Sequence, residues 1–283
     1  MTAKDWTGRD AARALRRPTG DDDKYSRGVV GMRTGSARYP GAAVLGVEAA
    51  WRSGTGMVRY VGPARAQDLV LARRPETVTA DGRVQAWVIG SGTDAAEREA
   101  AETAALRGIL SGDVPVVADA GALDLVPAAS APVIVTPHAR ELARLREALG
   151  LTGTAASDEG ERLRAAAATA DALGGVVLSK GAVTIVAAPG GWVRRVDTGT
   201  PWLATAGTGD VLGGVLGAVV AGAGAVGRTA LEDLAACAAT AAWLHGTAGT
   251  AAAARLGVSG GPITALDVAE ALPRVIAGLL GSQ

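Results

Sequence analysis

The run Thr205-Ala206-Gly207-Thr208-Gly209-Asp210 sets two glycines and a carboxylate directly before the apolar stretch Val211-Leu212-Gly213-Gly214-Val215-Leu216. A stretch that is apolar all round predicts a buried helix, with the run at its N-terminus. A helix N-terminus presents backbone N–H groups that have no intrahelical partner, and these bind anions. A carboxylate beside them can take a proton from a hydroxyl. Together these parts point to chemistry between a phosphate and an alcohol. Taken alone, the same residues also make an ordinary loop with an acidic first turn.

Four other constellations carry polar groups at the ends of apolar runs. Gly35-Ser36-Ala37-Arg38-Tyr39-Pro40-Gly41-Ala42-Ala43 is a loop feeding a helix, and its small residues let a ligand approach the backbone. Val88-Ile89-Gly90-Ser91-Gly92-Thr93-Asp94 reads as strand, turn and helix start, without the third glycine of a dinucleotide fingerprint. In Val135-Thr136-Pro137-His138-Ala139-Arg140-Glu141, Thr136 reads as a helix cap and Pro137 as its first turn. His138 then sits in that turn, where the helix dipole disfavours an imidazolium, so a neutral hydrogen-bonding ring is expected. The other histidine, His245, precedes Gly246 and reads as a structural residue near a helix C-terminus. The fourth constellation is Ser179-Lys180-Gly181-Ala182-Val183-Thr184, between two strands. The chain has 25 arginines and only three lysines, so a retained lysine points to a phosphate or a tight pocket that needs a compact charge.

Spacing alone does not rank Asp124, Glu141 or Asp197. No His, Cys, Asp or Glu cluster has the spacing of a metal site, so no protein-held metal is expected. Any Mg2+ is expected to be held by nucleotide phosphates, water and few carboxylates.

Composition narrows the rest. The 28 basic residues balance 28 acidic ones, and no aromatic and basic interleaving is present, which argues against a nucleic-acid partner. Cys237 is the only cysteine, so no internal disulfide forms and a reducing, cytoplasmic location is expected. Residues 1–6 lack the apolar core of a signal peptide. Residues 211–227 and 234–254 carry no charge, but they are mostly Ala and Gly with Thr interruptions and read as buried helices, not membrane spans.

The elements that position these groups alternate. Strands are expected at 27–32, 57–61, 84–89, 114–118, 133–135, 176–179, 183–188 and 192–196, the last two joined by a Pro189-Gly190-Gly191 hairpin. Helices are expected at 42–53, 94–110, 137–149, 161–173, 210–223, 229–245 and 264–280. Short apolar strands between helices predict a mostly parallel sheet covered on both faces, with the ligand site at the carboxyl ends of the strands. Residues 1–23 read as a polar lead-in with a short amphipathic helix, and 24–283 as a single domain.

Over residues 24–280 the ordered motifs resemble the ADP/ATP-dependent NAD(P)H-hydrate dehydratase family of the ribokinase-like superfamily. The motifs are Gly41-Ala42-Ala43-Val44-Leu45, Val88-Ile89-Gly90-Ser91-Gly92, Val117-Ala118-Asp119-Ala120, Thr136-Pro137-His138, Lys180-Gly181-Ala182-Val183-Thr184 and Leu203-Ala204-Thr205-Ala206-Gly207-Thr208-Gly209-Asp210-Val211-Leu212. The last is the most specific. The resemblance implies a ribokinase-like three-layer α/β/α sandwich with a central, mostly parallel sheet. It implies repair of nicotinamide cofactors hydrated at C6: ADP phosphorylates the hydroxyl of the S-form, and phosphate then leaves, giving NAD(P)H and AMP. Carried over, Asp210 is the base, and the Gly207, Thr208 and Gly209 N–H groups hold the phosphoryl group. Ala42, Gly92, His138 and Asp210 contact the hydrated cofactor. Lys180, Gly181, Ala182, Val183, Thr184 and Gly209 contact AMP or ADP, and Mg2+ accompanies the nucleotide. The resemblance also implies a homotetramer, in which the Ala-rich helices could pack between subunits, and a separate epimerase, since the chain is too short to hold one.

The family pattern is broken in four places. G-P-G-x-G reads Gly90-Ser91-Gly92-Thr93-Asp94, D-A-D-A-L reads Asp119-Ala120-Gly121-Ala122-Leu123, and H-P-G-E reads His138-Ala139-Arg140-Glu141. Thr200 and Trp202 replace the Asn and last Gly of T-G-N-P-G. The G-T-G-D loop by itself also permits a ribokinase-like kinase of a small alcohol or vitamin precursor, and the altered middle loops permit an inactive nucleotide-binding protein.

Overall fold

A computed structural model of the chain describes residues 3–152 and 158–281; Met1, Thr2, 153–157, Ser282 and Gln283, part of the expected lead-in and domain, lie outside the described residues. The chain runs β1 (Lys4–Asp5), α1 (Gly8–Ala14), β2 (Val29–Arg33), α2 (Gly41–Arg52), β3 (Met57–Tyr60), α3 (Ala64–Arg73), β4 (Ala86–Ile89), α4 (Ala100–Leu110), β5 (Val116–Ala118) and β6 (Val133–Val135). It continues α5 (Ala139–Ala148), α6 (Glu159–Leu173), β7 (Val176–Ser179), β8 (Thr184–Ala188), β9 (Trp192–Val196), α7 (Thr208–Gly224), α8 (Leu231–Ala254) and α9 (Ala265–Gly281).

The strands form one sheet in the order β1-β9-β8-β7-β6-β5-β4-β2-β3. Only β8 runs against its neighbours. Strand alternation divides the core into two layers. Ile134 of β6 faces a cluster that includes α2, α7, α8 and α9, whereas Val133 and Val135 face one built with α4, α5 and α6. Helix α7 is buried along almost its whole length, as its uninterrupted apolar sequence requires.

Helix α3 (Ala64–Arg73) is not among the expected helices, and other elements differ from expectation as well. Residues 94–110 are not one helix. Asp94 caps a short 3-10 turn, Ala95–Glu97, and Arg98 and Glu99 are extended before α4. Arg98 is drawn inward there, bonding the Gly121 carbonyl and Asp124. Helix α5 starts two residues later than expected. Its cap is His138, not Thr136, and Pro137 lies outside the helix. Helix α8 runs nine residues past His245, to Ala254. Gly246 does not end it. A Cβ at Gly246 would lie 2.4 Å from Thr198 Oγ1, so the glycine serves close packing within the helix. The polar lead-in is built into the fold: β1 pairs with β9, and α1 buries Ala11 and Ala12. Most alanines of α7 and α8 are likewise buried within the one chain, while Ala254 at the end of α8 is exposed.

Candidate active site

Chain order reverses between β2 and β4, and ligands of such sheets bind outside the carboxyl ends at that point. The loops after β2 and β4 are tied there by the Gly35 N–H donating to the Ser91 carbonyl at 2.7 Å. Gly92 meets the start of α2: a Cβ on Gly92 would lie 2.4 Å from Ala42 Cβ. Helix α7 begins beside α2, since a Cβ on Gly207 would lie 2.5 Å from Leu45 Cδ1. The structure therefore brings Ala42, Gly92 and the Gly207-Thr208-Gly209-Asp210 run to one end of the sheet.

Gly207 is the N-cap of α7, with φ +90°, a conformation side-chain-bearing residues rarely adopt. No side chain caps this helix; the Thr208 N–H donates to the Thr205 carbonyl at 3.4 Å. Thr208 buttresses the loop from behind, its Oγ1 donating to the carbonyls of Leu203 and Thr205, each at 2.9 Å. Burial pushes the Asp210 carboxyl up to about 6; the neighbouring Asp119 charge adds to this and the Lys180 ammonium opposes it.

Lys180 sits at the end of β7, its N–H donating to the Pro137 carbonyl at 2.9 Å. Its Nζ donates to Asp119 Oδ1 at 2.8 Å and lies 3.9 Å from Glu141 Oε2. The ammonium reaches the α7 N-terminus: a Cβ on Gly209 would stand 3.9 Å from Nζ. Asp119 is buried and also accepts from Ser91 Oγ at 3.2 Å. In the sequence Asp119 stands out only as part of the Val117-Ala118-Asp119-Ala120 motif. Its position directly after the buried strand Val116–Ala118 was the available signal, because that places it at the carboxyl edge.

His138 is half exposed, and its Nδ1 accepts from the Glu141 N–H at 3.2 Å while Glu141 Oε2 accepts from the His138 N–H at 2.8 Å. His245, read from sequence as a structural residue at a helix end, instead stands inside α8 and lines a pocket of about 470 Å3. Lys180, Gly181, Ala182, Thr184 and Gly209 line the same pocket. Val183 does not; its carbonyl accepts from Arg162 Nη2 at 2.8 Å. Ala42, Gly92 and His138 lie outside this pocket.

Two of the departures from the family pattern meet in space. A Cβ on Gly121 would lie 2.4 Å from Thr93 Oγ1, so the side chain missing at 121 makes room for the loop altered at 93–94. Ala120, between them and Asp119, takes φ +44°, a strained value for a residue with a Cβ. Thr200 Oγ1 accepts from the Trp202 N–H, and Trp202 is exposed at the rim of the pocket's Pro201 and Leu203. Among the described residues, no group of three or more His, Cys, Asp or Glu side chains is placed to hold a metal ion. None of their helices is long and apolar enough to cross a membrane.

The family model described as NAD(P)H-hydrate dehydratase matches residues 30–274. The chain belongs to this family. A bifunctional NAD(P)H-hydrate repair enzyme of Mycobacterium tuberculosis is 47% identical over 212 residues, 71% of this chain and 42% of that one. The chain thus spans less than half the length of this relative. An ADP-dependent (S)-NAD(P)H-hydrate dehydratase of Neisseria meningitidis is 35% identical over 263 residues, 85% of this chain and 82% of that one. The structure of an ADP/ATP-dependent NAD(P)H-hydrate dehydratase from Bacillus subtilis, co-crystallised with ATP/Mg2+, superposes with TM-score 0.80 at 27% identity, covering 99% of each chain. The fold of this dehydratase-family chain is the ribokinase-like α/β sandwich expected from its motifs.

Proposed function

We propose that the chain dehydrates the S-form of C6-hydrated NADH or NADPH, using ADP as phosphoryl donor. The observation that carries this reading is Asp210, a carboxyl raised to about 6 at an uncapped helix N-terminus, close enough to Asp119 and Lys180 to be shifted by both charges. Asp210 takes the proton of the C6 hydroxyl, whose oxygen attacks the β-phosphorus of ADP. The bond from that phosphorus to AMP breaks as the new bond forms. The Gly207, Thr208 and Gly209 N–H groups, pre-aimed at the α7 terminus, stabilise the charge that develops on the phosphoryl oxygens. The ring nitrogen then expels phosphate from C6, and loss of a C5 proton restores the double bond. The products are NAD(P)H, AMP and phosphate.

The nucleotide side of the reading is the pocket lined by Lys180, Gly181, Ala182, Thr184 and Gly209, with Val183 supporting it through Arg162. The cofactor side is Ala42, Gly92, His138 and Asp210. Mg2+ enters with the nucleotide phosphates, since the carboxylates here do not form a cage. When bound, it neutralises phosphate charge. The working form is a cytoplasmic homotetramer, supplied with S-form substrate by a separate epimerase.

The test is incubation with hydrated NADH, Mg2+ and either ADP or ATP, following NADH absorbance. Recovery with ADP is expected. No recovery with either nucleotide sinks the reading, and a stable phosphorylated alcohol would mark a kinase instead.

A further inference from the structure

We propose that His245 is a positioning residue for the anion cradle: its ring holds the Thr208 carbonyl so that the next amide, the Gly209 N–H, faces the transferred phosphoryl group. This rests on reading residues 207–210 as the phosphoryl site. His245 Nε2 lies 2.9 Å from the Thr208 carbonyl oxygen. A carbonyl only accepts, so Nε2 carries the proton and donates. The peptide between Thr208 and Gly209 is planar and trans, so its C=O and N–H point in opposite directions. Fixing the oxygen toward α8 therefore aims the Gly209 N–H away from it. Gly209 itself lines the pocket, and Lys180 Nζ stands 3.9 Å from where a Gly209 Cβ would be.

Thr208 Oγ1 ties the loop to the Leu203 and Thr205 carbonyls, and His245 adds a hold on the carbonyl side. Glycines flank Thr208, and glycine leaves the backbone freer than any other residue. No side chain caps the helix start. The ring, by contrast, is set in the middle of α8, next to Gly246, which packs on Thr198. A hydrogen bond to the carbonyl also polarises the amide and strengthens its N–H as a donor. Burial pushes the imidazole down to about 4, partly offset by the Thr208 carbonyl and reinforced by the Lys180 ammonium, so the ring stays neutral near pH 7 and keeps one nitrogen free of a proton.

The experiment compares His245→Ala and His245→Gln with the unsubstituted chain in the hydrated-NADH assay. Amide exchange of Gly209 is followed in parallel by NMR. Glutamine can present an N–H to the carbonyl; alanine cannot. His245→Ala is expected to lower kcat about ten- to a hundredfold while the KM for ADP stays within about threefold. His245→Gln is expected to recover about tenfold of that loss. Gly209 exchange is expected to speed by about tenfold in the alanine variant and not in the glutamine variant. A kcat within about twofold of the unsubstituted value in His245→Ala overturns the proposal, as does a glutamine variant no better than alanine in both readouts. Should His245→Ala not fold, His245→Leu takes its place, since it fills the space without an N–H. Absence of turnover in the unsubstituted chain would refute the proposed function and leave Gly209 exchange to decide this proposal.

Discussion

Asp210 stands where burial and Asp119 disfavour its charge, yet catalysis needs the ionised form. Turnover is therefore expected to fall as pH drops through about 6, in a pH profile of kcat/KM. The stability effect has the opposite sense. A carboxyl raised from 3.8 to about 6 on folding contributes stability that is full below 3.8 and lost as pH rises through about 6. Asp210→Asn, neutral at every pH, is expected to gain about 1–3 kcal/mol at pH 7 in urea unfolding. The same variant is expected to lose about a hundredfold or more in kcat while still binding AMP. Lys180 acts on this carboxyl in the other direction. Lys180→Met removes the ammonium that lowers it, so the acid limb of the pH profile is expected to move to higher pH. It also leaves the buried Asp119 carboxylate without its cation, and ADP affinity measured by calorimetry is expected to fall.

Helix α2 shows how an element is held in register with the site it serves. Glu48 lies fully buried in α2 and meets Arg52 at 2.5 Å, Arg73 at 3.2 Å and Arg74 at 2.5 Å, which ties α2 to α3 and the turn after it. Burial acts against the Glu48 carboxylate, but the three guanidiniums outweigh it and hold the group down at about 2. The stability it contributes is present above the ordinary value of 4.5 and lost as pH falls toward about 2. Glu48→Gln removes the buried charge that the three partly exposed guanidiniums surround, while Arg73 and Arg74 keep Glu270 and Glu76, and is expected to cost about 1–3 kcal/mol in chemical denaturation at pH 7. The helical spacing of residues 42–53 was legible in the sequence, but the partners of Glu48 were not. They lie on another element, and spacing reports only neighbours along one helix. The same limit explains the misplaced ends. Thr136-Pro137 satisfies the local rule for a helix start, yet the His138 and Glu141 pair satisfies it reciprocally, and the later start won. Gly246 obeys the local rule for a helix stop, but packing against Thr198 decided its role.

At the scale of the molecule, alternating strands and helices were enough to predict a covered parallel sheet, because that period comes directly from burial on two faces. The G-T-G-D run and the apolar stretch after it were enough to predict a buried helix starting there. The joining of Asp119, Lys180 and His245 around that run was not legible, since β5, β7 and α8 meet there only through the sheet order. Quaternary structure is open to direct measurement: light scattering after size exclusion is expected to give four times the 28.1 kDa of one chain, and a monomer would refute the proposed tetramer. The edge strand β1 bears on how the chain is made. Lys4 and Asp5 pair with Arg194 and Arg195, and the Trp6 Nε1–H donates to Thr240 Oγ1. During synthesis residues 4–6 are thus made well before their partners at 194–195 and 240. The sheet can grow outward from β2 and β4 in the meantime, while β1 gains its partner strand only once β9 is made.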